Sequence, residues 1–88
     1  MGNQQTISPE DAIINLKMAK REFERASKKA EAESAIAHDK IKGFLEKGNI
    51  EIARIHAETE IRKRKESTNL LKMSDKLDAT IRFLLPLF

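Results

Sequence analysis

Glycine and proline are almost absent from the central part of this 88-residue chain. Between Glu10 and Leu85 there is no proline, and the two glycines are Gly43 and Gly48. Good helix formers dominate the stretches on both sides of Gly48. The pattern predicts an all-α fold of two long helices, because few other structures tolerate so long a run without a breaker.

Local signals predict where these helices begin and end. Ser8 is a preferred N-cap residue, Pro9 suits the first helical position, and Gly48 suits the left-handed residue that closes a helix. Asn49 can cap the second helix, and Pro86 prevents its continuation. So short a connection makes the two helices antiparallel. We therefore predict one domain with a flexible N-terminus, helix one, a turn, helix two and an apolar tail, at residues 1–7, 8–47, 48–49, 50–85 and 86–88.

Composition excludes several classes of function. The chain has no cysteine, and therefore no disulfide scaffold or zinc-finger spacing. No apolar run reaches the roughly 18 residues of a membrane span, and the N-terminus lacks the form of a signal peptide. His38 and His56 are isolated, and no nucleophile elbow or glycine-rich phosphate loop occurs. We expect a cytoplasmic protein that is not an enzyme, with no metal, cofactor or small-molecule substrate.

Helix one has one apolar stripe and one basic side. At about 100° per residue, many alanines and two phenylalanines fall on one stripe, which we predict as the hairpin seam. Lys17, Arg21, Arg25 and Lys28 fall on nearly the opposite side, where a basic surface can meet an anionic membrane. The predicted seam consists of Leu16, Ala19, Phe23, Ala26, Ala30, Ala37, Ile41 and Phe44.

Helix two carries two apolar arcs. One runs from Ile52 to Leu84 and the other from Ile50 to Leu71, and a two-helix hairpin can cover only one of them. We expect the other to be buried between copies, so that the protein oligomerises; scattered surface apolar residues are the alternative. The basic run Arg62–Lys65 is predicted to be a solvated helix face, with a nuclear-localisation patch or a nucleic-acid contact as alternatives.

The turn and the start of helix two carry the stretch Gly48–Glu58, followed by Ile61 and Arg62. This stretch resembles the signature region of the charged multivesicular body protein 1 family of ESCRT-III subunits. The resemblance covers about residues 13 to 79. Its further matches are Asn15-Leu16-Lys17, Ala19-Lys20, Ser27-Lys28-Lys29, Ile41-Lys42, Lys47, Asn69-Leu70-Leu71-Lys72-Met73-Ser74 and Asp78-Ala79.

The resemblance implies the two core helices of an ESCRT-III subunit, which polymerises on anionic endosomal membranes in multivesicular body sorting and membrane scission. The implied partners are other copies, other ESCRT-III subunits and the anionic membrane surface. The residues expected on lipid are Lys17, Lys20, Arg21, Arg25, Lys28 and Lys29. The residues expected between subunits are Ile50, Ala53, Arg54, Ile55, His56, Ala57, Ile61 and Leu71.

Family members run to roughly twice this length, and we expect the chain to be truncated relative to them. The family's C-terminal motif, which recruits a Vps4-type ATPase, has no counterpart here, and this puts recruitment of that ATPase in doubt. A regulator that caps or modulates full-length ESCRT-III filaments is therefore an alternative function. A basic helical nucleic-acid-binding protein is a second alternative, against which the family-like stretch argues.

Both ends of the chain carry signals of their own. Met1 to Thr6 fits the N-myristoylation pattern, in which Gly2 is acylated, although an ordinary flexible terminus accounts for its polarity equally well. The apolar end, Phe83 to Phe88, can cover the open end of the hairpin, enter lipid or drive aggregation. The sequence leaves these alternatives open.

Overall fold

The computed structural model describes residues 7–88 as an elongated pair of helices. Helix α1 spans Pro9–Glu46, helix α2 spans Ile50–Leu84, and a short 3₁₀ helix follows at Leu85–Leu87. Residues that meet across the pair run in opposite order along the two helices, so α1 and α2 are antiparallel. The molecule is 62 Å long and 13 Å thick in its smallest dimension. The predicted antiparallel two-helix hairpin is confirmed.

The helix ends follow the local signals with small differences. The Ser8 side chain accepts a hydrogen bond from the backbone N–H of Asp11 at 3.2 Å, which satisfies one of the free donors of the first turn. Lys47 lies beyond α1, and Leu85 belongs to the 3₁₀ helix rather than to α2. Asn49 occupies the N-cap position of α2, but its side chain makes no capping hydrogen bond within residues 7–88.

The turn depends on Gly48. Its φ angle is +80°, in the left-handed region that residues with a Cβ avoid. In this conformation the N–H of Gly48 donates to the carbonyl of Leu45 at 3.0 Å, and the N–H of Asn49 donates to the carbonyl of Phe44 at 2.9 Å. Two carbonyls at the end of α1 therefore find partners as the chain reverses.

Gly48→Ala should destabilise the hairpin by about 1 kcal/mol, because alanine adopts a left-handed conformation at a cost of that size. Gly43→Ala is the matched control, since Gly43 is helical and a Cβ there would meet no atom within 4 Å. The control should be stabilised by about 0.5 to 1 kcal/mol. Urea unfolding followed by circular dichroism measures both, and equal effects of the two substitutions would contradict this account of the turn.

The seam between the helices repeats every seven residues. The buried residues of α1 include Ser27, Ala30, Ser34 and Ala37, at alternating steps of three and four. In α2, Ser67, Ser74 and Ile81 are buried at steps of seven. An average of 3.5 residues per turn is the period of a left-handed coiled coil, in which two helices wind slowly around each other. Ile13 of α1 and Ala53 of α2 are the other buried residues.

This winding explains where the predicted seam differs from the observed one. Ala30 and Ala37 are buried, but Ala26 is exposed, and its neighbour Ser27 occupies the seam instead. A fixed rotation of about 100° per residue drifts by roughly 20° per heptad from a seam that repeats every seven residues. The remaining predicted residues are half-buried along the seam: Leu16, Ala19, Phe23, Ile41 and Phe44.

Small hydroxyl side chains join the two helices at the middle of the seam. The Ser27 hydroxyl donates to the backbone carbonyl of Ser67 at 3.1 Å, and the two serine hydroxyls lie 3.0 Å apart. The Ser34 hydroxyl likewise donates to the carbonyl of Glu60 at 3.2 Å. A side chain this short reaches the backbone of the other helix only when the helices lie close together. The alanines and serines of the seam therefore bring α1 and α2 into close contact.

Candidate membrane-binding and assembly surfaces

The outer face of α1 presents cations that have no carboxylate partner within residues 7–88. Lys17, Arg21, Arg25, Lys28 and Lys29 are all exposed. None of the five forms a salt bridge with another residue of the 7–88 range. Helical geometry puts most of these side chains opposite the buried serines and alanines of the seam. We call these five residues the α1 basic face; it is open along its length.

Two apolar side chains lie among these cations. Ile14 and Met18 are about half exposed, and at about 100° per residue they fall between the directions of Lys17 and Lys29. Sequence reasoning concentrated on the charges and missed them, although the same arithmetic would have located them. A surface that mixes basic and apolar side chains is typical of a helix that lies in the headgroup region of a bilayer.

Lys20 belongs to the hairpin rather than to the α1 basic face. Its Nζ lies 3.0 Å from Oδ1 of Asp78 on α2 and 3.7 Å from Oε1 of Glu24. The hydrogen bond to Asp78 raises the pKa of Lys20 and lowers the pKa of the Asp78 carboxyl. Because its charge is neutralised within the chain, Lys20 is removed from the residues predicted to meet lipid.

A second ionic contact crosses the seam nearer the turn. Nζ of Lys63 lies 2.9 Å from Oε2 of Glu33 on α1 and 3.3 Å from Oε2 of Glu66. The hydrogen bond with Lys63 lowers the pKa of Glu33, and the same contact raises the pKa of Lys63. Of the basic run Arg62–Lys65, Lys63 is thus paired across the seam, and Arg64 pairs with Glu60 on its own helix.

The two pairs across the seam predict how stability depends on pH. Folding lowers the pKa of Asp78 and of Glu33, so their stabilising contribution is present above their ordinary values of 3.8 and 4.5. It is lost as the pH falls through the lowered values, because the unfolded chain then binds more protons. We expect the thermal midpoint, followed by circular dichroism, to be constant between about pH 7 and 5 and to fall below about pH 4.

The matched variant for this pH series is Asp78→Asn, which removes one of the two carboxyls. Its midpoint should be lower than that of the parent chain at neutral pH and should fall less on acidification. Folding raises the pKa of Lys20 and of Lys63. The stability that these lysines contribute is therefore present at neutral pH and is lost only as the pH rises above their ordinary value of 10.5. A midpoint that stays constant down to about pH 3 would rule out this role for the pairs.

Apolar side chains are exposed on α2, mainly near the turn. Ile50 is 70% exposed, and Ile55, Ile61 and Leu71 are each at least half exposed. In the C-terminal half of α2, helix α1 covers the arc that runs from Ile52 to Leu84, and Ile81 is buried there. Near the turn the seam has wound away from that arc. Parts of both arcs therefore stay open, which a fixed rotation per residue does not predict.

Two residues predicted to lie between subunits are instead held inside the hairpin. Ala53 is 3% exposed and lies in the seam. The ring of His56 stacks on Phe44 of α1, with centroids 5.3 Å apart and planes inclined by 11°. Both contacts close the turn end of the hairpin. Of the remaining predicted subunit contacts, Arg54 is exposed and Ala57 is half-buried.

The described residues contain neither a metal site nor a membrane span. Across residues 7–88, no three histidine, aspartate or glutamate side chains are grouped so that they could hold a metal ion. Nδ1 of His38 instead lies 3.1 Å from Oε1 of Glu60, across the seam. Neither helix of this range has an apolar stretch long enough to cross a bilayer. Gly2, the candidate acylation site, lies outside the described residues.

Comparison with known proteins reveals close relatives for most of the chain. Charged multivesicular body protein 1b of Danio rerio is 46% identical over 72 residues, which cover 82% of this chain and 36% of that protein. Charged multivesicular body protein 1B1 of Mus musculus is 46% identical over 70 residues, which cover 80% and 35%. The Homo sapiens protein 1b is 44% identical over the same length. The chain belongs to the charged multivesicular body protein 1 family.

The resemblance inferred from the residues around the turn is thereby confirmed. The charged multivesicular body protein 1 relatives are much longer, since this chain matches about a third of the length of each one named. No protein-family model matches the chain.

Proposed function

We propose that this chain is a structural, non-enzymatic ESCRT-III-like subunit that polymerises on anionic endosomal membranes. It would serve multivesicular body sorting, endosomal and vacuolar protein transport, and membrane scission. The observation that carries the proposal is the α1 basic face, five exposed cations without a salt bridge in the described residues, on a hairpin of the charged multivesicular body protein 1 family.

Membrane binding in this proposal is electrostatic and depends on many weak contacts. A lysine or arginine near an anionic bilayer contributes about 1 kcal/mol, and the contribution decreases with ionic strength. Ile14 and Met18 would add apolar contact with the headgroup region. A single hairpin binds modestly by this means. A row of hairpins binds firmly, because each further contact forms at high effective concentration.

Assembly in this proposal uses the apolar side chains that α1 leaves uncovered. Ile50, Ile55, Ile61 and Leu71 are exposed on a small helical molecule that has little core of its own. Together with Arg54 and Ala57, they would contact further copies of this chain or other ESCRT-III subunits. Burial of these side chains is the expected driving force for polymerisation.

The test is sedimentation of the purified full chain with vesicles, followed by negative-stain electron microscopy of the pellets. Phosphatidylserine-containing vesicles are compared with pure phosphatidylcholine vesicles at low and at physiological salt. We expect salt-sensitive pelleting with the anionic vesicles alone, and filaments or tubules in those pellets. Failure to pellet with anionic vesicles at low salt would overturn the proposal. Pelleting without any ordered assembly would overturn its polymerisation part.

A further inference from the structure

Helix α2 has a second basic row, on the side facing away from the seam. Lys65, Lys72 and Lys76 are exposed, and Phe83 lies in line with them at the end of the helix. Their spacings of seven, four and seven residues put all four side chains on one side of α2. Phe83 is 71% exposed, although large aromatic side chains are usually buried. We call these four residues the outer edge of α2.

The lysines of this edge have no carboxylate partner in the described part of the chain, whereas neighbouring carboxylates are occupied. Asp78 contacts Lys20 at 3.0 Å and Arg82 at 3.0 Å, and Glu66 contacts Lys63 at 3.3 Å. Asp75 is exposed beside the edge and is the remaining acidic residue between Glu66 and Arg82. The outer edge of α2 therefore keeps an excess of positive charge.

An apolar group follows the cations at the end of the helix. Leu87 and Phe88 are each 64% exposed and follow Phe83 by four and five residues in the chain. A nucleic acid would be attracted by the lysines but would gain little from exposed leucine, whereas a bilayer offers anionic headgroups and acyl chains at adjacent depths. Lysine side chains extend to the headgroups while their carbon stems lie along apolar surface. The combination of lysines and exposed apolar side chains therefore favours an anionic bilayer as the ligand of the outer edge of α2.

We propose that the outer edge of α2 is a second surface for an anionic bilayer, with Phe83 and Leu87 inserted among the lipids. It is independent of the α1 basic face, because the sides of α1 and α2 opposite a shared seam point away from each other. One hairpin thus has two lipid-binding sides that face opposite directions. A chain with both sides intact bridges two vesicles.

The chain contains no tryptophan or tyrosine, so a single tryptophan reports on its own surroundings. In Phe83→Trp, emission should shift to shorter wavelength with phosphatidylserine-containing vesicles and be quenched by lipids brominated on their acyl chains. Neither change should occur with phosphatidylcholine vesicles. Ile52→Trp, partly exposed at the opposite end of the hairpin, is the matched control and should not be quenched by the brominated lipids.

Charge reversal at Lys65, Lys72 and Lys76 together, in the Phe83→Trp chain, should remove the shift and the clustering of vesicles measured by light scattering. Sedimentation of this variant through the α1 basic face should persist at low salt, which separates the two surfaces. Emission that does not change with anionic vesicles would overturn the proposal. So would a shift caused by protein concentration alone, which would identify a second copy as the occupant, or a shift caused by duplex DNA instead of lipid.

Discussion

Reversal of Lys17, Arg21, Arg25 and Lys28 together to glutamate should reduce sedimentation with anionic vesicles at physiological salt to the weak level that the outer edge of α2 supports alone. Four cations at about 1 kcal/mol each correspond to roughly a 1000-fold loss of affinity. All four side chains are exposed and form no salt bridge with another residue of the 7–88 range, so the helical content should be unchanged. Co-sedimentation at about 0.15 M salt measures the effect, and circular dichroism checks the fold.

A control variant with the same net charge shows whether membrane binding depends on the position of the cations or only on the total charge. Each reversal changes the charge by two units, so four reversals take the formal net charge from +3 to −5. Reversal of four other exposed cations has the same effect on the total but should leave most of the binding intact. If both variants lose binding equally, the α1 basic face has no special role. The control positions are Lys40, Lys42, Lys47 and Arg62.

Ala30→Leu should unfold or strongly destabilise the hairpin, whereas Ala26→Leu should have almost no effect. Ala30 is 2% exposed in the seam, where the helices lie close together, and Ala26 is exposed. Extra methylene groups in a tightly packed contact cost about 1 to 3 kcal/mol. That is most of the stability expected of a domain this small. Leucine and alanine have similar helix propensities, so propensity does not explain the difference.

Urea unfolding followed by circular dichroism compares these two variants with the parent chain. We expect the midpoint of Ala30→Leu to fall sharply and that of Ala26→Leu to stay near the parent value. Ser27→Leu provides a third comparison, because it replaces the buried residue beside Ala26. Equal destabilisation by all three substitutions would mean that Ala26 also lies in the seam, as a fixed helical rotation predicts.

The sequence was sufficient for the features that depend on local chemistry. Ser8 and Gly48 act within a few residues of their own positions, and both roles are visible in the structure. The assignment of Ala26 failed for a different reason, since the seam position depends on how two helices wind around each other. A local rule has no information about that winding.

The charged and aromatic contacts of the seam also lay beyond sequence reasoning. Lys20 and Arg21 are adjacent basic residues on α1, yet one pairs with Asp78 on the other helix and the other faces solvent. The stacking of His56 on Phe44 likewise requires the hairpin to be closed. The cationic character of α1 could be predicted from its composition. Which cations remain available to a partner required the relative position of both helices.

The seven-residue repeat of the seam alone leaves an ambiguity of register, which the short turn and the ion pairs resolve together. Serines recur at seven-residue intervals on both helices, so sliding one helix along the other by a heptad, about 10 Å, would again bring small residues together. Such a slip would separate Lys20 from Asp78 and Lys63 from Glu33. The Gly48 turn sets one alignment of the helices among several that packing alone would allow, and these pairs stabilise that alignment.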